Sequence, residues 1–130
     1  MKTVLLVDDD NTVLLTLGVR LNRLGYAVCT AMDAVTALSA VLKNNPAVVV
    51  LDISLPAGNG FLVAQRLRAM IGSAATPIIF ISSSDDPALR ERAMKLGSAF
   101  LKKPLGAGAL ADAIESALAP GEDWGPPQAV

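Results

Sequence analysis

The chain has 130 residues, the length of one globular domain. Hydrophobic residues make up 52% of it and charged residues 18%, a balance that excludes intrinsic disorder. Eleven lysines and arginines against twelve aspartates and glutamates leave a net charge of −1, so no basic excess is available for direct binding to nucleic acid or to an anionic membrane.

Short apolar runs alternate along the chain with longer segments of helical periodicity. Residues 4–7, 48–51 and 78–81 are unbroken apolar runs, which are typical of parallel strands covered by helices on both faces. Residues 27–31 and 99–101 are weaker strand candidates, and we expect them at the edges of the sheet.

Apolar residues at helical spacing predict five helices. They are Leu14, Leu17, Leu21 and Leu24, then Ala37, Leu38 and Val41, then Val63, Ala64, Leu67, Met70 and Ile71, then Leu89, Ala93 and Leu96, and finally Leu110, Ile114 and Leu118. Either Asp10 or Asn11 would cap the first helix, Asp33 the second, and either Asp85 or Asp86 the fourth. The alternation predicts an α/β fold, with a five-stranded parallel sheet between two layers of helices.

The periodic pattern ends at Pro120. We therefore predict one domain over residues 1–119 and a C-terminal tail or linker over residues 120–130, where Trp124 lies. The single cysteine, Cys29, excludes a disulfide framework and is expected to be inert. No apolar stretch approaches the ~20 residues of a membrane span, and no targeting segment is visible, so we expect a cytoplasmic protein.

Polar residues that are suited to catalysis or to metal binding follow the predicted strands. They are Asp8, Asp9 and Asp10 after the first strand, Asp52 and Ser54 at the third, Ser82, Ser83 and Ser84 at the fourth, and Lys102 and Lys103 at the fifth. Because ligands bind beyond the carboxyl ends of parallel strands, these residues should share one edge of the sheet. Clustered carboxylates repel one another unless a cation such as Mg²⁺ neutralises them. A carboxylate that shares the metal can attack a phosphoryl group, with a lysine neutralising the transferring oxygens.

Several motifs in this order resemble the receiver domain of two-component response regulators. They are Val-Asp-Asp at residues 7–9, Leu-Asp-Ile-Ser-Leu-Pro at residues 51–56 with Asn59-Gly60, Ser82 at the end of the fourth strand, and Lys103-Pro104. The resemblance covers roughly residues 2–119 and implies a flavodoxin-like, doubly wound sheet with strand order 2-1-3-4-5.

The resemblance also implies a role for each matching residue. Asp52 would be the phosphoacceptor, Asp8, Asp9, Asp52 and the backbone carbonyl of Ser54 would hold Mg²⁺, Ser82 would be the switch hydroxyl, Lys103 the phosphoryl-binding lysine and Phe100 the aromatic switch residue. The Lys103–Pro104 peptide bond would be cis. The chain departs from the family pattern at Leu105, where an aromatic residue often stands. Serines at the variable positions 54 and 84, which tune dephosphorylation in the family, leave the lifetime of the phosphoryl group open.

As a member of this family the chain would be a phosphorylation-controlled switch with intrinsic phosphotransfer and autodephosphorylation chemistry, and not an enzyme in the usual sense. A sensor histidine kinase or a histidine phosphotransfer protein would supply the phosphoryl group, because the chain contains no histidine. An unidentified downstream effector would bind the surface formed by the fourth helix, the fifth strand and the fifth helix.

Other interpretations use the same residues differently. Asp10 is expected to be a helix cap, and Lys102 a solvated neighbour of Lys103. The fold could be an interaction module that never uses a phosphoryl group, although the complete aspartate set and Lys103 speak against this. A flavodoxin-like cofactor binder would want glycine in the first βα turn, which is acidic here. A phosphohydrolase with an aspartate nucleophile could use Asp8-x-Asp10, but no substrate-binding insertion follows it.

Overall fold

The structure is a computed structural model that describes residues 1–56, 59–97, 99–106 and 108–119. Within these residues it contains β1 (Thr3–Val7), α1 (Asn11–Arg23), β2 (Ala27–Ala31), α2 (Ala34–Asn44), β3 (Val48–Asp52), α3 (Gly60–Ala69), β4 (Ile78–Ser82), α4 (Pro87–Leu96), β5 (Ala99–Lys102) and α5 (Ala109–Leu118). The predicted tail, residues 120–130 with Trp124, lies outside the described residues.

The strands form a parallel sheet in the order β2-β1-β3-β4-β5. The α/β class and the strand order are therefore as expected, and β2 and β5 lie at the edges as predicted. The central strands β1, β3 and β4 are almost entirely buried, which explains why their sequences are unbroken apolar runs. The alternation of strand and helix brings the carboxyl ends of all these strands to one edge of the sheet.

Two hydrophobic cores lie on opposite faces of the sheet. On one face, α2, α3 and α4 pack on residues such as Leu5, Leu51 and Phe80. On the other face, α1 and α5 pack on residues such as Leu6 and Val50. Adjacent residues of one strand alternate between the cores, because successive side chains of a strand point to opposite faces.

The helix starts follow from capping side chains. The carboxylates of Asp10, Asp33 and Asp86 accept backbone hydrogen bonds at the starts of α1, α2 and α4, which decides both of the capping alternatives. The end of α3 differs from the prediction. Met70 and Ile71 were predicted to lie in this helix, but it ends at Ala69, Met70 has an extended backbone, and Ile71 is fully exposed.

Two backbone features concern Gly25 and the Lys103–Pro104 bond, and the second was expected from the family resemblance. Gly25 follows α1 with a φ of 97°, a left-handed conformation that glycine adopts without strain. The Lys103–Pro104 peptide bond is cis. Across the described residues, the helices are too short or too polar to cross a bilayer.

Candidate functional site

Three aspartates from two neighbouring strands meet at the carboxyl edge of the sheet. Asp8 and Asp9 follow β1, and Asp52 is the last residue of β3, which pairs with β1. Each offers a carboxylate oxygen, and these oxygens all lie within 4.8 Å of one another. The convergence expected from the positions of these residues along the chain is therefore present.

Asp8 is the most deeply buried residue of this cluster, and both of its carboxylate oxygens have a polar contact. Its side chain is buried, with the residue only 1% exposed, and Oδ1 accepts a hydrogen bond of 2.9 Å from the backbone N–H of Asp10. Its other oxygen, Oδ2, lies 2.6 Å from Nζ of Lys103. That contact is an ion pair, and within the described part of the chain Oδ2 has no other polar partner. A buried oxygen in this condition is suited to a metal ion.

Asp52 is also oriented through both of its oxygens. Oδ1 accepts a hydrogen bond of 3.0 Å from the backbone N–H of Ser54, and Oδ2 accepts one of 2.9 Å from Nζ of Lys103. Burial raises the pKa of Asp52 above its ordinary value, although the hydrogen bonds from Lys103 and Ser54 act in the opposite direction. The carboxylate is thus desolvated, and its two oxygens have defined directions.

Lys103 bridges the two buried aspartates. Burial by itself would lower the pKa of Lys103, but its contacts with the carboxylates of Asp8 and Asp52 outweigh burial, and the pKa is raised. The ammonium group therefore remains charged. Among the described residues, this one ammonium group faces the three carboxylates of the cluster, which leaves a net negative charge that a divalent cation would neutralise.

The donor set fits Mg²⁺. All three side chains offer hard oxygen ligands, and Asp9 is exposed, so a partly hydrated ion could reach the cluster from solvent. Asp8, Asp9 and Asp52 are the side chains that would hold the ion. The backbone carbonyl of Ser54 stays a predicted further ligand.

Ser82 and Phe100 lie on the two strands that follow β3 in the sheet, β4 and β5. Ser82 ends β4 as a buried residue, and its Oγ accepts a hydrogen bond of 3.1 Å from the backbone N–H of Ser84. Phe100 lies in β5, is half-buried and packs against the core on the α4 side of the sheet. The hydroxyl of Ser82 therefore lies on the strand next to that of Asp52, and the ring of Phe100 lies one strand further along the sheet.

Three contacts near the site were not predicted. A Cβ on Gly60 would lie 2.4 Å from the backbone oxygen of Asp52, so only glycine fits there. The Asn59-Gly60 pair was a sequence signal for this turn. Lys102, interpreted as solvated, is exposed but forms an ion pair with Asp85 in the loop before α4. The guanidinium of Arg90 lies over the ring of Phe100, and no local pattern indicates this contact.

We expect the Asp9→Asn variant to be more stable than the wild type when divalent metal is absent. Asp9 repels Asp8 and Asp52, and it has no compensating ion pair among the described residues. Removing one charge should raise the free energy of unfolding by about 1 kcal/mol, or Tm by about 4 °C. Thermal denaturation in chelator measures this, and added Mg²⁺ should stabilise the variant less than the wild type. An unchanged or lower Tm in chelator would contradict the prediction.

Comparison with known proteins identifies the family. The family model of the response regulator receiver domain matches residues 4–115. A probable transcriptional regulator ycf27 of Cyanophora paradoxa is 35% identical over 118 residues, which cover 90% of this chain and 48% of the relative. The transcriptional regulatory protein PrrA of Mycobacterium tuberculosis is 40% identical over 83 residues, which cover 64% of this chain and 36% of the relative. The chain thus spans about half or less of the length of these relatives.

Solved structures show the same fold over nearly the whole chain. A putative response regulator from Chloroflexus aurantiacus has a TM-score of 0.86 and 28% identity, covering 91% of this chain and 98% of its own. The chemotaxis response regulator CheY4 of Vibrio cholerae has a TM-score of 0.85 and 26% identity, covering 91% of this chain and 99% of its own. The chain belongs to the receiver domain family of response regulators, the signalling switches of two-component systems.

Proposed function

We propose that this receiver domain accepts a phosphoryl group on Asp52, with Asp8, Asp9, Asp52 and the backbone carbonyl of Ser54 as the ligands of Mg²⁺. The observation that carries the proposal is the position of Asp52. It is a desolvated carboxylate, hydrogen-bonded to Lys103 and within reach of two further carboxylates. Residues 1–119 would form the receiver domain, and residues 120–130 a tail or linker.

The chemistry assigns a separate task to each side chain. A carboxylate oxygen of Asp52 attacks the phosphorus atom, an O–P bond forms, and the N–P bond to the donor imidazole breaks, so that the imidazole leaves with the bonding electrons. Lys103 neutralises charge on the phosphoryl oxygens, and its contacts with Asp8 and Asp52 hold its ammonium group at the site. Bound Mg²⁺ would supply further charge neutralisation to the same oxygens.

The phosphoryl donor would be a sensor histidine kinase or a histidine phosphotransfer protein. The absence of histidine from the sequence supports an external phosphohistidine. A downstream effector, the absence of direct nucleic-acid binding by this chain and a cytoplasmic location stay predictions. Intrinsic autodephosphorylation would return the domain to its starting state, so the chain would act as a switch rather than as a conventional enzyme.

The switch would run from Ser82 to Phe100. The hydroxyl of Ser82 would move toward an oxygen of the phosphoryl group on Asp52, and this movement would vacate space beneath β5. The ring of Phe100 can fill this space, and the surface formed by α4, β5 and α5 would then change.

Phosphoryl labelling tests the proposal. We expect the purified chain to gain one phosphoryl group from acetyl phosphate when Mg²⁺ is present and none when a chelator is added, because the acidic cluster repels an anionic donor until a cation is bound. Intact-mass spectrometry measures the gain. Labelling that proceeds equally in chelator would contradict the metal assignment, and no labelling under any condition would favour the interaction-module alternative.

We expect Ser82→Ala to separate phosphorylation from its structural response. The hydroxyl is not the nucleophile, so the rate of labelling should stay within about threefold of the wild type. A threefold change is less than the tenfold change that a loss of about 1.4 kcal/mol in transition-state stabilisation would cause. NMR shift mapping with beryllofluoride, a mimic of the phosphoryl group, should show a response over residues 85–105 that is lost in the variant. An equally strong response in both proteins would contradict the role of Ser82.

A further inference from the structure

The C-terminal end of α4 is anchored by a guanidinium from α3. Arg68 Nε donates a hydrogen bond of 2.9 Å to the backbone oxygen of Leu96, the last residue of α4. Its Nη1 donates to the backbone oxygen of Thr76 at 2.7 Å and more weakly to that of Ala74 at 3.4 Å. Because these are charge-assisted bonds in a partly buried place, they join the end of α4 firmly to the segment that enters β4.

Gly97 strengthens the same anchor. A Cβ added at Gly97 would lie 2.6 Å from the backbone oxygen of Ile78 and 2.8 Å from the ring of Phe80. The residue one turn earlier, Ala93, is fully buried in the core. The last turn of α4 therefore lies directly against β4, with no room for displacement toward the sheet.

The N-terminal half of α4 is attached differently. One apolar side chain of this half, Leu89, is partly buried against the core. The contacts with β5 are made by exposed side chains: the guanidinium of Arg90 lies 5.9 Å from the centroid of the Phe100 ring, and Lys102 pairs with Asp85 in the loop before the helix. Exposed cation–π contacts and surface ion pairs are each weak, and solvent screens them. The C-terminal end of α4 therefore has the hydrogen bond from Arg68 and the fully buried Ala93, whereas the N-terminal half has the partly buried Leu89 and weak surface contacts.

We infer that α4 acts as a lever, hinged at its C-terminal end by Arg68 and Gly97 and latched at its N-terminal half by Arg90 on Phe100. This inference rests on the proposed function, since the switch is what would open the latch. Arg90 contacts the ring of Phe100 in the half-buried orientation that the ring has in the structure. If the ring turns inward, this contact is lost, so Arg90 opposes the switched state by the free energy of the contact. Arg90 is therefore a positioning residue for the switch.

The test compares three substitutions on α4. Arg90→Ala removes the latch, Arg90→Lys keeps a cation above the ring, and Lys95→Ala removes the same charge from the same helix at an exposed position with no ion pair among the described residues. We expect Arg90→Ala to bind beryllofluoride with Mg²⁺ about two- to fivefold more tightly, because a cation–π contact of this kind biases the two states by about that factor. Arg90→Lys should restore most of the wild-type affinity, and Lys95→Ala should not change it.

Amide hydrogen exchange without beryllofluoride provides a second measurement. In Arg90→Ala, the amides of residues 88–91 should exchange about two- to fivefold faster than in the wild type, because the first turns of α4 would open locally more often, while residues 93–97 should be unchanged. Equal acceleration along all of α4, or the same effect in Lys95→Ala, would overturn the inference. If beryllofluoride bound to none of the proteins, wild type included, the proposed function would fail, and the exchange pattern would still decide whether α4 is hinged and latched as inferred.

Discussion

The Asp52→Asn variant is expected to take up no phosphoryl group from acetyl phosphate in the presence of Mg²⁺. An amide oxygen is a poor nucleophile and cannot form a stable acyl phosphate, whereas the carboxylate of Asp52 is desolvated and held by Ser54 and Lys103. The substitution keeps the size of the side chain, and the amide oxygen can still accept the hydrogen bond from Ser54. Loss of labelling would therefore report on chemistry, and thermal denaturation would verify that the variant is folded.

Asp10→Asn is the matched control for this variant. Asp10 follows the same strand as Asp8 and Asp9, but its side chain is exposed and caps α1 through the backbone N–H of Thr12. Asparagine caps a helix about as well as aspartate, so Asp10→Asn should be stable and fully labelled. A phosphoryl group found on Asp52→Asn would mean that another aspartate at this edge is the acceptor, and peptide mapping would identify it.

Replacing Lys103 by alanine is expected to be the most destabilising change at the site when metal is absent. The substitution leaves the buried carboxylates of Asp8 and Asp52, 1% and 5% exposed, without their cation. Removing one partner of a buried ion pair costs about 3 kcal/mol, which for a domain of this size corresponds to a decrease in Tm of about 10 °C. Mg²⁺ should restore part of this stability, since it would supply the missing positive charge.

Lys102→Ala provides the comparison for Lys103→Ala. Lys102 precedes Lys103 directly, but its side chain is 47% exposed and its partner Asp85 is 84% exposed. An exposed pair of this kind contributes about 0.5 kcal/mol, so Lys102→Ala should change Tm by about 2 °C at most. Urea denaturation of both variants in chelator measures the difference. Equal losses would show that the contacts of Lys103 with Asp8 and Asp52 contribute little to stability.

The sequence by itself was sufficient for the order and type of the secondary-structure elements and for the convergence of the three aspartates. Unbroken apolar runs and helical spacing are properties of neighbouring residues, so the strands and most helix bounds follow from them. The positions of Asp8, Asp52 and Ser82 at strand ends were also enough to bring them to one edge, because parallel strands end on the same side of a sheet. The strand order came only from the family resemblance, because strands with similar apolar sequences do not indicate which position each one takes in the sheet.

The contacts between side chains were decided by tertiary structure alone. Nothing local indicates that Lys103 bridges Asp8 and Asp52, or that Arg90 covers Phe100, because each partner belongs to a different element and the packing of whole elements sets their separation. The end of α3 was misjudged for the same reason. The apolar residues Met70 and Ile71 continue the helical pattern, but the chain must turn there to enter β4, and Ile71 is left in solvent. Helical periodicity indicates that a segment has an apolar face, but only the fold decides whether another element lies there to cover that face.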